Sequence, residues 1–328
     1  MKTDVVSGQE VAKVVTFLRA GEVVALPTET VYGLAADALN PLAVAKIFEA
    51  KERPRFNPLI VHLPNEDWLE RVANIDDYVR DLLRKLIAQF WPGPLTVVLD
   101  RQPMIPEIVT AGLDTIAVRI SAHPVFSEIV RAFGAPLAAP SANRFGRVSP
   151  TNPRHVLDEL SGRIPLIVDA GQTIHGIEST IVALEGDKIK ILRRGPITSE
   201  QLSIFGAEID VVTSPQTVSA PGQLPIHYAP KTPLRLIDEV RSFSPSGTER
   251  VALLAWNPVE NAGRFFAILN LSKARDLREA AANLFRLLRE LDALDVDLIV
   301  AERVPGHGLG AAIMDRLCRA SGSERPVG

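Results

Sequence analysis

A chain of 328 residues with one cysteine, Cys318, can close no disulfide within itself and build no cysteine-based zinc site. Its six histidines show no metal-ligand spacing such as His-Glu-x-x-His. A Walker phosphate loop is missing, as are a Gly-x-Gly-x-x-Gly after a strand and a Gly-x-Ser-x-Gly nucleophile elbow. No apolar run approaches the length needed to cross a bilayer, and the opening Met1-Lys2-Thr3-Asp4 leads into no apolar signal segment. A cytoplasmic protein without membrane attachment is the expectation. Excess positive charge is lacking as well. The formal net charge of -3 excludes a broadly basic nucleic-acid coat and leaves room for a local basic cleft.

What is present is an ordinary globular composition, 46% hydrophobic and 23% charged, long enough for two domains with cores of their own. Short apolar runs alternate with helix-period segments, the pattern of an α/β protein. Strands are predicted at 22–26, 59–63, 95–99, 115–120, 137–139, 166–168, 179–183 and 188–192. Helices are predicted at 41–51, with Pro41 in the first turn, and at 76–90, 123–133 and 198–205, the last closed by Gly206. From 207 to 232 periodicity stops, and Pro215, Pro221, Pro225 and Pro230 predict an extended linker. A second α/β unit follows, with strands at 234–237, 251–255, 266–269 and 298–301. Its longest helix, 274–294, carries a stripe that includes Leu277, Leu284, Leu288 and Leu291. The expected domains are therefore 1–206, a linker 207–232, and 233–328.

Four clusters could carry chemistry. Pro27-Thr28-Glu29-Thr30-Val31-Tyr32-Gly33-Leu34 follows an apolar strand, where α/β folds place ligands, although its hydroxyls also suit a plain turn. Lys51-Glu52-Arg53-Pro54-Arg55-Phe56-Asn57 puts three cations at a helix end. They complement the helix dipole there, or clamp phosphate oxygens from a proline-stiffened loop. His62 sits in the apolar strand that comes next, a place for a satisfied core histidine. Arg119 interrupts an apolar strand that begins at Thr115. A buried arginine needs an anionic partner, either an internal Asp or Glu or a substrate carboxylate. Near it in type, Ala139-Pro140-Ser141-Ala142-Asn143 follows a strand of small residues. Gly176-Ile177-Glu178-Ser179-Thr180 and Arg193-Arg194-Gly195-Pro196-Ile197 again bring hydroxyls and cations to strand ends. The residues alone stop at an α/β protein with a cationic, hydroxyl-rich cleft suited to a phosphorylated ligand.

These clusters, in this order, resemble the YrdC-like family. Pro27 to Leu34 looks like its opening signature, and Lys51-x-Arg53 with Ser141-x-Asn143 is similar to its paired Lys-x-Arg and Ser-x-Asn motif. Gly176 to Thr180 and Arg193-x-Gly195-x-Ile197 fall in the family's order. His227-Tyr228-Ala229-Pro230 and Gly308-Leu309-Gly310-Ala311-Ala312 resemble the long, two-domain members. The resemblance covers nearly the whole chain. It implies a twisted mixed-sheet catalytic domain followed by a smaller Rossmann-like α/β domain, with the linker over the active site.

It also implies an activity: L-threonine, bicarbonate and ATP converted to threonylcarbamoyl-AMP and pyrophosphate, for a separate tRNA threonylcarbamoyl transferase. Carried over by motif, Thr30, His62, Arg119, Ala139 and Ser179 are expected around threonine. Arg53, Asn57, Thr115, Ser141, Asn143, Ser149 and Arg193 are expected around ATP, with Tyr228 reaching over the nucleotide. Lys51 and Arg53 are the expected catalytic cations. Mg2+ would be held mainly by the phosphates, and no protein metal ligand is expected. One departure stands in the linker, where Gln223-Leu224-Pro225-Ile226 occupies a place that is basic and aromatic in long members.

Two other functions compete. YrdC-like units inside hydrogenase-maturation proteins are carbamoyltransferases that use carbamoyl phosphate, but those proteins carry cysteine-rich zinc motifs, and this chain has one cysteine. An RNA-binding protein is the reading outside enzymes, since YrdC-like domains present a concave basic surface. The acidic balance and the lack of aromatic-rich RNA motifs leave room for weak RNA binding at most.

Overall fold

The computed structural model describes residues 1–206, 208–212, 220–222, 228–259 and 262–322. The chain divides into two units. The first comprises the described residues of Met1–Phe145, Pro150–Ile174 and Glu178–Gln223; the second comprises those of Gly146–Ser149, His175–Ile177 and Leu224–Gly328. The expected linear division is thus interrupted by two short segments that group with the second unit. The linker residues Gln223 to His227 lie outside the described residues.

The strands of the first unit are β1 (Asp4–Ser7), β2 (Val24–Leu26), β3 (Gly33–Asp37), β4 (Ile60–His62), β5 (Ala73–Asn74) and β6 (Leu95–Arg101), continuing with β7 (Thr115–Arg119), β8 (Leu137–Ala138), β9 (Leu166–Asp169), β10 (Thr180–Glu185), β11 (Lys188–Arg193) and β12 (Glu208–Val211). Its helices are α1 (Val11–Arg19), α2 (Pro41–Lys51), α3 (Leu69–Val72), α4 (Asp77–Phe90), α5 (Glu107–Thr110), α6 (Pro124–Phe133), α7 (Pro153–Leu160) and α8 (Ser199–Ser203). Among the described residues the strands form one mixed sheet, ordered β1-β9-β2-β3-β8-β4-β7-β6-β10-β11-β12, with β5 on the flank of β6.

Central strands are apolar on both faces because both faces are covered. In β2, Ala25 points into the core beneath α2 and α4, whereas Val24 and Leu26 point into a second core with Phe126 and Ile129 of α6. Continuous apolar runs such as this one were legible as strands. The α2 helix starts as its sequence dictates. Asn40 accepts hydrogen bonds from the backbone N–H groups of Leu42 and Ala43, Pro41 follows it, and Glu52 ends the helix in the left-handed conformation at φ 53°. That ending leaves Lys51 on the last turn and turns Arg53 into the loop beyond.

Residues 208–211 correct the linker expectation. Glu-Ile-Asp-Val alternates with period two, and β12 pairs in parallel with β11 from Lys188↔Glu208 to Ile191↔Val211. The short, half-exposed β1 and the buried, small-residue β3 also escaped the sequence reading, as did α1 and α7.

In the second unit, β13 (Leu234–Ile237), β14 (Val251–Ala255), β15 (Ala267–Asn270) and β16 (Leu298–Glu302) make a parallel sheet ordered β13-β16-β14-β15. Two helices complete it, α9 (Leu277–Asp292), capped by Asp276, and α10 (Leu309–Ser321). Leu284, Leu287, Leu288 and Leu291 of α9 are buried. Each contributes roughly 1.5–3 kcal/mol of burial, so a charge at Leu288 would detach the helix. Gly176 lies in the same unit against α9, where an added Cβ would fall 2.5 Å from the Cα of Ala282.

Candidate active site

Strand register brings the first group together. β4 runs parallel to β7 with His62 opposite Arg119, and Ala139, just past β8, donates its N–H to the carbonyl of Ile60 at 2.9 Å. The turn after β2 supplies Thr28, Glu29 and Thr30. Thr28 Oγ1 accepts from the N–H groups of Thr30 and Val31 at 3.1 and 3.2 Å, so the turn reading of this motif is correct in its local geometry. All of these side chains are buried.

Arg119 has the internal acid that its burial demanded. Its Nη2 lies 2.5 Å from Glu29 Oε1, its Nε donates to Gly93 O at 3.1 Å, and its Nη1 donates to Thr30 Oγ1 at 3.2 Å. The Arg119–Glu29 contact is an ion pair in distance but is not aligned as a hydrogen bond, which leaves both atoms without an aligned partner. Glu29 Oε2 in turn accepts from Ser121 Oγ at 2.5 Å. Burial pushes the Glu29 carboxyl up, but the Arg119 charge and the hydrogen bonds outweigh it and hold the group below the usual carboxylate range. Sequence reasoning did not select Glu29. The signal was there, since a buried arginine and an acid inside the opening motif each needed the other.

His62 packs against the ring of Phe126, with centroids 4.7 Å apart, and its Nδ1 has no partner. Burial, reinforced by the Arg119 charge, lowers its pKa to about 3, against a smaller opposing pull from Glu29. The imidazole is neutral at ordinary pH.

A second group forms around Ser179. Its Oγ shares a 2.8 Å hydrogen bond with Thr96 Oγ1 and accepts from Arg193 Nη2 at 3.0 Å, while Arg193 Nε donates to Ser179 O. Gly195 permits this closeness: a Cβ there would lie 2.4 Å from Thr180 N and 2.6 Å from Glu178 O. The two groups meet through the Gly93-Pro94 loop. Gly93 O takes the Arg119 hydrogen bond, and Pro94 O accepts from Thr180 N at 3.0 Å.

The third group is cationic. Lys51 Nζ donates to Ser141 O at 2.5 Å and to Asn143 O, so the Lys-x-Arg and Ser-x-Asn motifs meet directly. Burial, and after it the nearby Arg53, lower the Lys51 pKa well below its ordinary value against an opposing pull from Glu159. Arg53 donates to Asn57 O at 3.2 Å and to Pro58 O at 2.8 Å, closing the loop on itself. Asn57 is fully buried, yet neither its amide nitrogen nor its amide oxygen has a partner. A buried amide in that state is set to receive a ligand's donor and acceptor.

Three expected residues are not among these groups. Thr115 begins β7 opposite Asp100, four residues and about 13 Å along the strand from Arg119. Ser149 and Tyr228 belong to the second unit. There Tyr228 is buried at φ 63°, its ring stacked on Phe285 at 5.6 Å and under the Arg316 guanidinium at 5.0 Å.

The family model described as "Telomere recombination" matches residues 16–195, and the one described as "Threonylcarbamoyl-AMP synthase, C-terminal domain" matches residues 197–322. A Bacillus subtilis protein named threonylcarbamoyl-AMP synthase is 41% identical over 327 residues, covering 95% of this chain and 93% of its own. The chain belongs to the threonylcarbamoyl-AMP synthase family. A Pyrococcus abyssi synthase of the same name is 39% identical over 93% of this chain and 92% of its own. The crystal structure of Pyrococcus abyssi Sua5 complexed with L-threonine superposes with a TM-score of 0.89 at 35% identity, covering 98% of each chain. This full-length likeness carries the expected fold, a YrdC-like domain followed by a smaller α/β domain. Full-length HypF in its phosphate- and nucleotide-bound form shares only the fold of part of the chain, at 20% identity and a TM-score of 0.50.

Proposed function

We propose that this chain is an L-threonylcarbamoyladenylate synthase, forming threonylcarbamoyl-AMP and pyrophosphate from L-threonine, bicarbonate and ATP. Relatives of that name match over almost the whole chain, and a threonine complex of one of them shares its fold. The observation that carries the reading is the convergence of Thr30, His62 and Arg119 in one buried group, with Lys51, Arg53, Ser141 and Asn143 in another.

In this reading the neutral threonine amine becomes a carbamate, either by adding to CO2 with release of a proton or by adding to bicarbonate with loss of water. A carbamate oxygen attacks the α-phosphorus of ATP in line, the new O–P bond forms, and the bond to the β,γ-phosphates breaks to release pyrophosphate. Such a transfer asks the protein for positioning and charge neutralisation. Arg119 would face the threonine carboxylate, and the hydroxyls of Thr30 and Ser179 with the neutral His62 would recognise the rest of the amino acid. A dedicated hydrogen-bond partner is what separates threonine from valine. Ala139 would border the same ligand. Arg53, Asn57, Ser141, Asn143 and Arg193 would hold ATP, with Lys51 beside its phosphates, and Thr115, Ser149 and Tyr228 complete the proposed nucleotide set.

Among the described residues no three His, Cys, Asp or Glu side chains gather as a cation site. The residues assigned to the phosphates are cationic or neutral, a donor set that suits Mg2+ arriving on ATP and held by its oxygens. Bound in that way, Mg2+ would neutralise charge on the phosphates. No helix among the described residues is long and apolar enough to cross a membrane. We place the enzyme in the cytoplasm, handing its product to a tRNA threonylcarbamoyl transferase. Pyrophosphate release that depends on both threonine and bicarbonate tests the proposal.

A further inference from the structure

The Lys-x-Arg motif stands where the pairing of β4 with β8 ends. Their antiparallel register sets Val61 opposite Ala138 and His62 opposite Leu137, and the Ala139 N–H reaches the Ile60 carbonyl at 2.9 Å. Continued by two residues, that register makes Pro58 and Ser141 the next hydrogen-bonded pair. Proline has no N–H, so Pro58 cannot supply the donor that the Ser141 carbonyl would meet there. Lys51 supplies it. Its Nζ donates to Ser141 O at 2.5 Å, and to Asn143 O beyond. Arg53 acts in the same way on the other strand, donating to Asn57 O and Pro58 O at 3.2 and 2.8 Å. Each cation therefore holds two carbonyls beside one strand. On its other side the Ser-x-Asn loop runs along the start of β3. There Leu34 N–H donates to Pro140 O at 2.7 Å, and Ala142 N–H donates to Tyr32 O at 2.8 Å.

Lys51 is only 1% exposed, whereas Ser141 is half-buried. Phe145 closes the loop's far end, its N–H donating to Lys51 O at 2.8 Å. We propose that Lys51 is a positioning residue, whose side chain replaces the N–H that Pro58 lacks and sets Ser141 and Asn143 in place before nucleotide binds. The resemblance puts Lys51 close to the ATP phosphates and gives it no part in holding the loop. Two of the three N–H groups of its ammonium go to carbonyls, so its effect on ATP runs through Ser141 and Asn143. The inference rests on the synthase reading and deepens it, because it separates the cation that shapes the site from the residues that meet the ligand. A loop fixed in advance also spares nucleotide binding the entropy of ordering it.

The test combines amide hydrogen exchange of the 141–145 segment with pyrophosphate release at varied ATP, in the full-length enzyme. Wild type, Lys51→Met, Ser141→Ala and the double variant are compared, with each melting temperature measured first. Lys51→Gln replaces Lys51→Met if the latter does not fold. We expect the wild-type segment to be protected without nucleotide, and to exchange roughly tenfold faster in Lys51→Met, the worth of one hydrogen bond to a charged group. Both single variants raise the KM for ATP. Adding Ser141→Ala to Lys51→Met changes that KM little further, because the two act through one loop. Unchanged protection in Lys51→Met overturns the inference. So do fold-changes in KM that multiply, which would mean that Lys51 meets ATP independently of Ser141. A wild-type segment that becomes protected only when ATP is added overturns it as well, and that arm needs no variant. Wild-type enzyme that releases no pyrophosphate with threonine would overturn the synthase reading, while hydrogen exchange would still decide whether Lys51 holds the loop.

Discussion

Arg119 Nη2 and Glu29 Oε1 lie 2.5 Å apart, each side chain about 3% exposed. The pair bridges β7 and the turn after β2, and it fixes the guanidinium on the Thr30 side of the pocket. Removing one member leaves the other charge buried without its partner, and such losses typically cost about 3–5 kcal/mol. Glu29→Ala and Arg119→Ala should each destabilise the fold by that order in urea unfolding. The double variant should cost less than the sum of the two, because the second substitution removes the orphaned charge. Strict additivity would mean that the pair is not coupled.

His62 gives an acid signature. Its folded-state pKa, about 3, lies below the ordinary 6.5. Between those values the unfolded chain binds a proton that the folded chain excludes. Stability therefore falls as pH drops from about 6.5 toward 3, by up to about 1.4 kcal/mol per pH unit from this residue. Glu29 adds its own loss lower down, as pH falls from its ordinary value of 4.5 toward its folded value of about 2. Urea unfolding of wild type and His62→Gln between pH 4.5 and 6.5 should show the variant with the shallower slope. Equal slopes would mean that the imidazole titrates normally.

Asn57 should separate function from stability. Both polar atoms of its amide are buried and unpartnered, so the fold gains little from them. Asn57→Leu should leave the unfolding free energy within about 1.5 kcal/mol of wild type, the range of tolerated swaps. The KM for ATP should rise at least tenfold if the amide meets the nucleotide. A large destabilisation with unchanged ATP kinetics would assign Asn57 to the core instead.

Gly195 is needed for space rather than for an unusual φ. Gly195→Ala would drive a Cβ into Thr180 N and Glu178 O, at 2.4 and 2.6 Å. The loop must move, and Arg193 and Ser179 with it. We expect a cost of about 1–3 kcal/mol and a fall in activity larger than that loss of stability explains, measured as kcat/KM at a temperature where the variant is fully folded.

Much of this architecture could be read from the sequence where one physical signal dominated. The β14 strand and the α2 helix were bounded as the structure has them, because a buried parallel strand is continuously apolar and Asn40-Pro41 marks a helix start. Strand β12 was lost because its Ile209 and Val211 are only half buried, and nearby prolines suggested a linker. Within the site, the meeting of Lys51 with Ser141 and Asn143 followed from motif resemblance. The pairing of Arg119 with Glu29 did not. It joins residues 90 apart in sequence, and only sheet order brings them into contact. The cluster at Thr28 to Thr30 was ambiguous between a turn and a ligand loop because it has the features of both: Thr28 builds the turn, and Thr30 carries its hydroxyl to the Arg119 guanidinium.

The most direct test of the account is pyrophosphate release from ATP with bicarbonate, comparing L-threonine, L-serine, L-valine and no amino acid, in wild type and Arg119→Ala. The account predicts release that is greatest with L-threonine, weak with L-valine, and lost in a folded Arg119→Ala variant. Release that is indifferent to the amino acid, or that survives the loss of Arg119, would contradict it.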